Sequence, residues 1–297
     1  ITGGAFTITD NSTINNALNV SGTASLTLDG LTLAGTGTLT NAATLNLAGD
    51  FVGSTVNAAL NNQGTLLVRA VPGSPISVIN GALSTNSASI IRVRGDGISN
   101  DSATLTVANG FTNNGLIELT AINSTGQNAT LNVTNGTLLN AAVTGSIQSL
   151  AGAGGARTLN AQLNNQGTLT VSQSLTITNT SRTFTSSSGT IQVDTGDVLT
   201  INGGTTVLGS GSVLTGAGQI DLAGTHTLNL ASDLTLTTSK PTLTLSGTVT
   251  INGPGVLINQ ATLQLSADTV NTALDNQGTL LVLAVPGSVI SVINGAL

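Results

Sequence analysis

Apolar residues alternate with Thr, Asn or Gln in short runs along the whole chain. Thr44-Leu45-Asn46-Leu47, Gly64-Thr65-Leu66-Leu67-Val68, Thr104-Leu105-Thr106-Val107 and Gly167-Thr168-Leu169-Thr170-Val171 are typical, and Thr227-Leu228-Asn229-Leu230 and Thr262-Leu263-Gln264-Leu265 repeat the pattern later. A period of two is the signature of a strand with one buried face. Asn-Gly, Gly-Ser, Asn-Asn-Gln-Gly and Asp-Gly turns separate the runs, and Gly and Asn tolerate the positive φ that tight corners require. No stretch of twelve residues carries a helical pattern. The chain reads as all-β, with Leu45, Leu47, Leu66, Val68, Leu105, Val107, Leu169, Val171, Leu228, Leu230, Leu263 and Leu265 facing inward.

Composition decides how thick the core can be. The only aromatic residues are four Phe, with no Trp or Tyr, whereas globular cores draw about 150–250 Å² of buried surface from each aromatic side chain. A core without them must be thin enough for Leu, Val, Ile and Ala to fill. Disorder is excluded by the same figures. Disordered chains combine low hydrophobicity with high net charge, but this one is 39% hydrophobic, 6% charged and carries −6.

Internal repetition narrows the architecture further. Residues 62–83 and 276–297 differ only at Arg69/Leu283 and Pro75/Val289, an offset of 214 residues, and residues 35–47 correspond to 253–265. Such a match is the mark of a tandem array. The chain is read as a continuous β-solenoid over 1–297, with 1–83 closing one module and 84–297 forming one full 214-residue module. An antiparallel sandwich would also have many short strands. The likeness of successive strands, the thin aliphatic core and the Asn recurring before Gly-Thr-Leu (Asn62, Asn165, Asn276) favour a parallel solenoid, in which stacked amides form a ladder. A right-handed β-helix with coils of roughly 18–25 residues is expected. Neither end of the sequence shows a polar cap, so both terminal coils are expected to stack on further coils through backbone edges.

Runs such as LTLAGTGTLTNAATLNLAG and, at 199–224, LTINGGTTVLGSGSVLTGAGQIDLAG resemble the repetitive parallel β-helices of bacterial surface proteins, filamentous-haemagglutinin-type adhesins and autotransporter passenger domains above all. The resemblance covers essentially the whole chain and lies in texture, without a secretion-domain or barrel motif. It implies a secreted, extracellular or cell-surface protein.

Few residues invite a chemical role. Arg94-Gly95-Asp96 spells the tripeptide used by integrin-binding proteins and is the one candidate receptor-binding site; as a Gly turn with two solvated charges it would be inert. Asp96-Gly97 with Asn100-Asp101, and Asp194-Thr195-Gly196-Asp197, offer oxygens to calcium, but neither supplies the six to eight ligands alone. Polysaccharide lyases and hydrolases on this fold need clustered carboxylates or a basic partner, yet Glu118, Lys240 and His226 are each the only residue of their type. His226 is expected to face solvent from an alternating strand. Thr-x-Thr pairs raise ice binding, which irregular spacing disfavours. Sequons begin at Asn11, Asn19, Asn100, Asn123, Asn128, Asn132, Asn135 and Asn179.

The expected function is structural: a segment of a long fibre, sheath or stalk whose partner is itself, by axial stacking of modules. The alternative is an adhesin stalk or passenger domain binding cell-surface receptors or glycans. No catalytic residue, cofactor or metal is expected. The acidic balance, with one Lys and five Arg, speaks against nucleic acid. No apolar run approaches the ~20 residues of a membrane span. Cysteine is absent.

Overall fold

The computed structural model describes residues 1–297 except 50, 71, 74, 97–100, 124–125 and 285–289. The described residues form strands, turns and corners without a helix, and so none long and apolar enough to cross a membrane. Every strand pairing with a resolved register is parallel, each strand lying on its counterpart in the next coil. The result is a parallel β-solenoid of about 12 turns, as the alternation and the repeat predict.

The coils group into two compact units, residues 1–161 and 162–297. In the first, one sheet stacks Ala5–Ile8, Ser25–Asp29, Thr44–Ala48, Thr65–Arg69, Ile90–Gly95, Leu116–Ala121 and Ser146–Ser149. A second runs from Ser12–Thr13 through Thr32–Ala34, Thr55–Val56 and Ile76–Ile79 to Ala103–Asn113 and Ala129–Asn140. The third holds Leu18–Val20, Thr38–Asn41, Ala59–Asn62 and Leu83–Thr85. In the second unit the sheets include Thr168–Val171, Thr190–Val193 and Val213–Thr215 on one face. Another face carries the long strands Val198–Leu208 and Gln219–Leu230, followed by Thr248–Asn252, Thr269–Val270 and Val292–Ile293.

Coil length spans more than the expected 18–25 residues. The register step is 17 residues from Leu263 to Leu280 and 30 from Ile117 to Ile147. The strands keep their stacking while corners absorb the difference, because a corner faces water on its outer side and tolerates insertion.

The core is aliphatic, as a thin section demands. All twelve residues expected to face inward are buried. Stacking coils also brings backbone onto backbone at the corners. A Cβ on Gly64 would sit 2.3 Å from the carbonyl oxygen of Ala43 one coil away, and one on Gly278 would meet Ala261 at the same 2.3 Å. The Gln-Gly of each repeat copy is therefore dictated by close approach.

The two copies of the repeat fold alike. Thr65–Arg69 corresponds to Thr279–Val282, and Ala59–Asn62 to Leu274–Asn276. They differ at one corner, where residues 48–54 of the first copy stand against only 266–268 of the second. Buried Ser54 closes the longer corner, its hydroxyl 2.7 Å from the Leu28 carbonyl oxygen and accepting from Gly30 N at 3.1 Å. Buried Asp268 takes that place in the shorter one, accepting from Val249 N at 2.9 Å and Ser266 N at 2.6 Å. Burial pushes the Asp268 carboxyl above its ordinary pKa, and those two N–H groups oppose the shift.

Candidate functional site

Three features stand out against the plain strand faces: buried amide ladders, one charged cluster, and the sheet edges of the terminal coils.

Asn41, Asn62, Asn113, Asn140, Asn165, Asn179 and Asn259 are buried inside the coils. Each follows, two residues on, an inward aliphatic or Phe of the same strand, so strand geometry points it inward as well. Asn41 Nδ2 donates to Asn62 Oδ1 (2.8 Å) and to Thr65 O (2.9 Å) of the next coil. Asn113 repeats this with Asn140 Oδ1 (2.9 Å) and Ser146 O (3.0 Å), and Asn259 with Asn276 Oδ1 (2.7 Å) and Thr279 O (3.0 Å). The amides satisfy corner carbonyls that would otherwise be buried unpaired. The expected ladder residues Asn62, Asn165 and Asn276 are thus part of a longer set. Its other members lack the Gln-Gly that follows those three, but their parity with the buried residue before them was the available signal.

A second set of amides lines an outer corner and runs the other way. Asn80 Nδ2 donates to Asn57 Oδ1 (2.8 Å); Asn252 donates to Asn229 (3.4 Å), Asn271 to Asn252 (2.7 Å) and Asn294 to Asn271 (2.8 Å). Inner amides hand their hydrogen to the following coil; these hand it to the preceding one.

Charges gather where the candidate receptor tripeptide lies. Arg94 and Gly95 end the strand Ile90–Gly95, and Asp96 follows it. The Asp96 carboxylate is buried, with Oδ2 accepting from Arg94 (2.6 Å) and Arg69 (3.1 Å). Asn123 Nδ2 donates to the Asp96 backbone carbonyl at 2.6 Å. Arg92 pairs with Glu118 on the neighbouring strand. All the ion pairs among the described residues fall in this cluster. The calcium-loop reading of Asp96–Asp101 and the sequon at Asn100 rest on residues 97–100, outside the described residues. In the other acidic turn, Asp194 accepts from Ser172 (2.6 Å) and Gln192 (2.9 Å), bonds that hold its carboxyl below the ordinary range, and Asp197 from Ser174 (3.3 Å). No three His, Asp or Glu residues are grouped to hold a metal ion among the described residues. Of the sequons, Asn179 is buried with its amide on Thr205 O (2.8 Å), whereas Asn135 is exposed.

His226 corrects an expectation. It is buried, with Nε2 3.0 Å from Thr206 Oγ1 and Nδ1 without a hydrogen-bond partner among the described residues. Burial pushes its pKa below the ordinary imidazole value, opposed in part by the Gly203 backbone. Parity explains the error: His226 shares the face of Leu228 and Leu230, so the alternation itself turns it inward.

The terminal edges complete the picture. In the first repeat copy Thr65–Arg69 is covered by Ile90–Gly95; its counterpart Thr279–Val282 pairs only with Thr262–Leu265. Val68 is 1% exposed, and its equivalent Val282 is 57% exposed. Leu83 and Leu297 differ in the same sense, at 9% and 79%. At the opposite end Ala5–Ile8 pairs only with Ser25–Asp29, leaving Phe6 exposed. No family model, curated protein or solved structure matches the chain.

Proposed function

We propose that the chain is a structural protein, a segment of an extracellular fibre, sheath or stalk in which β-solenoid modules join end to end. On this reading it belongs at the cell surface, alongside repetitive β-helix proteins of the haemagglutinin-adhesin and autotransporter kind, and performs no reaction. The observation that carries the reading is the pair of repeat copies. One sequence has its sheet edge and apolar row covered by a further coil in the first copy and bare in the second. A bare edge of this kind templates strand pairing, and a partner coil on Thr279–Val282 would bury Val282 as Val68 is buried.

Electron microscopy and sedimentation of the purified chain over rising concentration test it. Filaments with an axial repeat of the module are expected. Val282→Lys, which puts a charge on the joining edge, is expected to cut their number at least tenfold. Monodisperse particles near 29 kDa at all concentrations would defeat the proposal.

A stalk carrying its own receptor-binding loop is the second reading, and one observation favours it. The corner longer in the first copy presents Phe51, 75% exposed with φ of 62°, beside exposed Val52. Receptor or glycan binding by this loop predicts that Phe51→Ser abolishes cell attachment and leaves assembly intact.

A further inference from the structure

The hydrogen-bond ladders of the second unit do not run unbroken. On the first face, Val213–Thr215 is the last strand of its ladder, and Leu234–Leu236, next around the coil, begins a separate one with Leu257–Asn259 and Leu274–Asn276. On the second face, Thr242–Leu245 pairs with Gln219–Leu222 below it. Thr262–Leu265, one coil on, pairs only with Thr279–Val282. The third face alone continues across this level, through Thr225–Asn229 with Thr248–Asn252 and then Thr269–Val270.

The two gaps flank a single corner, residues 237–241, where the chain leaves the upper ladder and joins the lower. Pro241 offers no N–H there, and Lys240 Nζ reaches back to Thr235 O at 3.3 Å. Space follows the break. A cavity of about 20 Å³ lies under the corner, lined by Leu214, Leu234, Leu236, Pro241 and Leu243. A cleft of about 170 Å³ separates Thr242–Leu245 from Thr262 and Gln264. Leu214, Leu234 and Leu243 are only half-buried, unlike the aliphatic rows elsewhere. The cavity is too small and too apolar for a ligand or an ordered water with partners, so neither explains the break.

We propose that this seam is a built-in yield point: the coils beyond Leu245 open from those before it as one body, turning on the third face. Opening here breaks one strand ladder, whereas opening between other coils of the unit breaks two or three. Local opening follows the places where fewest buried contacts and backbone bonds must be given up.

Hydrogen exchange on the intact chain tests this, aided by the absence of cysteine. Hydrogen-bonded amides of Leu257–Asn259, Thr269–Val270 and Leu274–Asn276 are expected to exchange as one block, at least tenfold faster than those of Thr190–Val193 and Val198–Asn202. Joining Thr244→Cys to Gln264→Cys with a short bismaleimide is expected to slow the whole block at least tenfold, the unlinked double variant serving as reference. The same linker between Thr176→Cys and Thr200→Cys, neighbours in an unbroken ladder, should leave the block unchanged. Protection that decays coil by coil toward Leu297, with the seam linker slowing only the residues it joins, would overturn the proposal.

Discussion

His226 shows how far one buried side chain sets the behaviour of a neutral fold. Its ring lies in the core with one nitrogen on Thr206 and the other unpartnered, so the folded chain resists taking up a proton. The unfolded chain protonates near the ordinary imidazole value of about 6.5. As pH falls below that value the unfolded state binds more protons than the folded one, and stability declines with it. Above it the penalty vanishes. Denaturant midpoints measured from pH 7.5 to 5.5 are therefore expected to fall, and His226→Gln is expected to flatten that slope. An unchanged slope in the variant would show that another group titrates. His226 was legible by parity, because it stands two residues before Leu228; the solvent-facing assignment weighed its polarity above its position.

The strand is where sequence spoke most clearly. Alternation marked the buried rows because each strand has one dry side, and Leu45, Leu66, Leu169 and Leu263 all lie there. The asparagines were legible in part. Asn62 was marked by the Gln-Gly after it, whereas Asn41 precedes Ala-Ala and was passed over. Their role makes a sharp prediction. Asn41→Leu keeps the volume but leaves Asn62 Oδ1 and Thr65 O without this donor, a loss of about 1–3 kcal/mol for buried groups left unpaired. Urea unfolding should show it, with the far-ultraviolet spectrum of the folded variant unchanged. The seam was not legible, since Leu234–Leu236 and Thr242–Leu245 alternate like their neighbours. Only pairing reveals that they join different ladders.

Over the full chain, charge has little part in stability. Arg69, Arg92, Arg94, Asp96 and Glu118 supply all the ion pairs among the described residues, and exposed pairs contribute about 0–1 kcal/mol each. Raising sodium chloride from 0.05 to 0.5 M is expected to shift the thermal midpoint by no more than about 4 °C, the change that roughly 1 kcal/mol brings in a domain of this size. A larger fall would assign the charged cluster a structural weight that its few pairs do not suggest. The parallel solenoid was foreseeable from the repeat and the thin core. The spread of coil lengths was not, because corner insertions such as that near Ala141–Gly145 leave the strand pattern untouched.

The two amide ladders have an electrical consequence. Each column of stacked side-chain amides lines its dipoles up along the axis, as peptide units do in a helix. The inner amides at Asn41 and Asn259 donate toward the following coil, and the outer ones at Asn80, Asn252, Asn271 and Asn294 toward the preceding coil. The columns therefore oppose one another, and adding coils lengthens both without building up a field at either end.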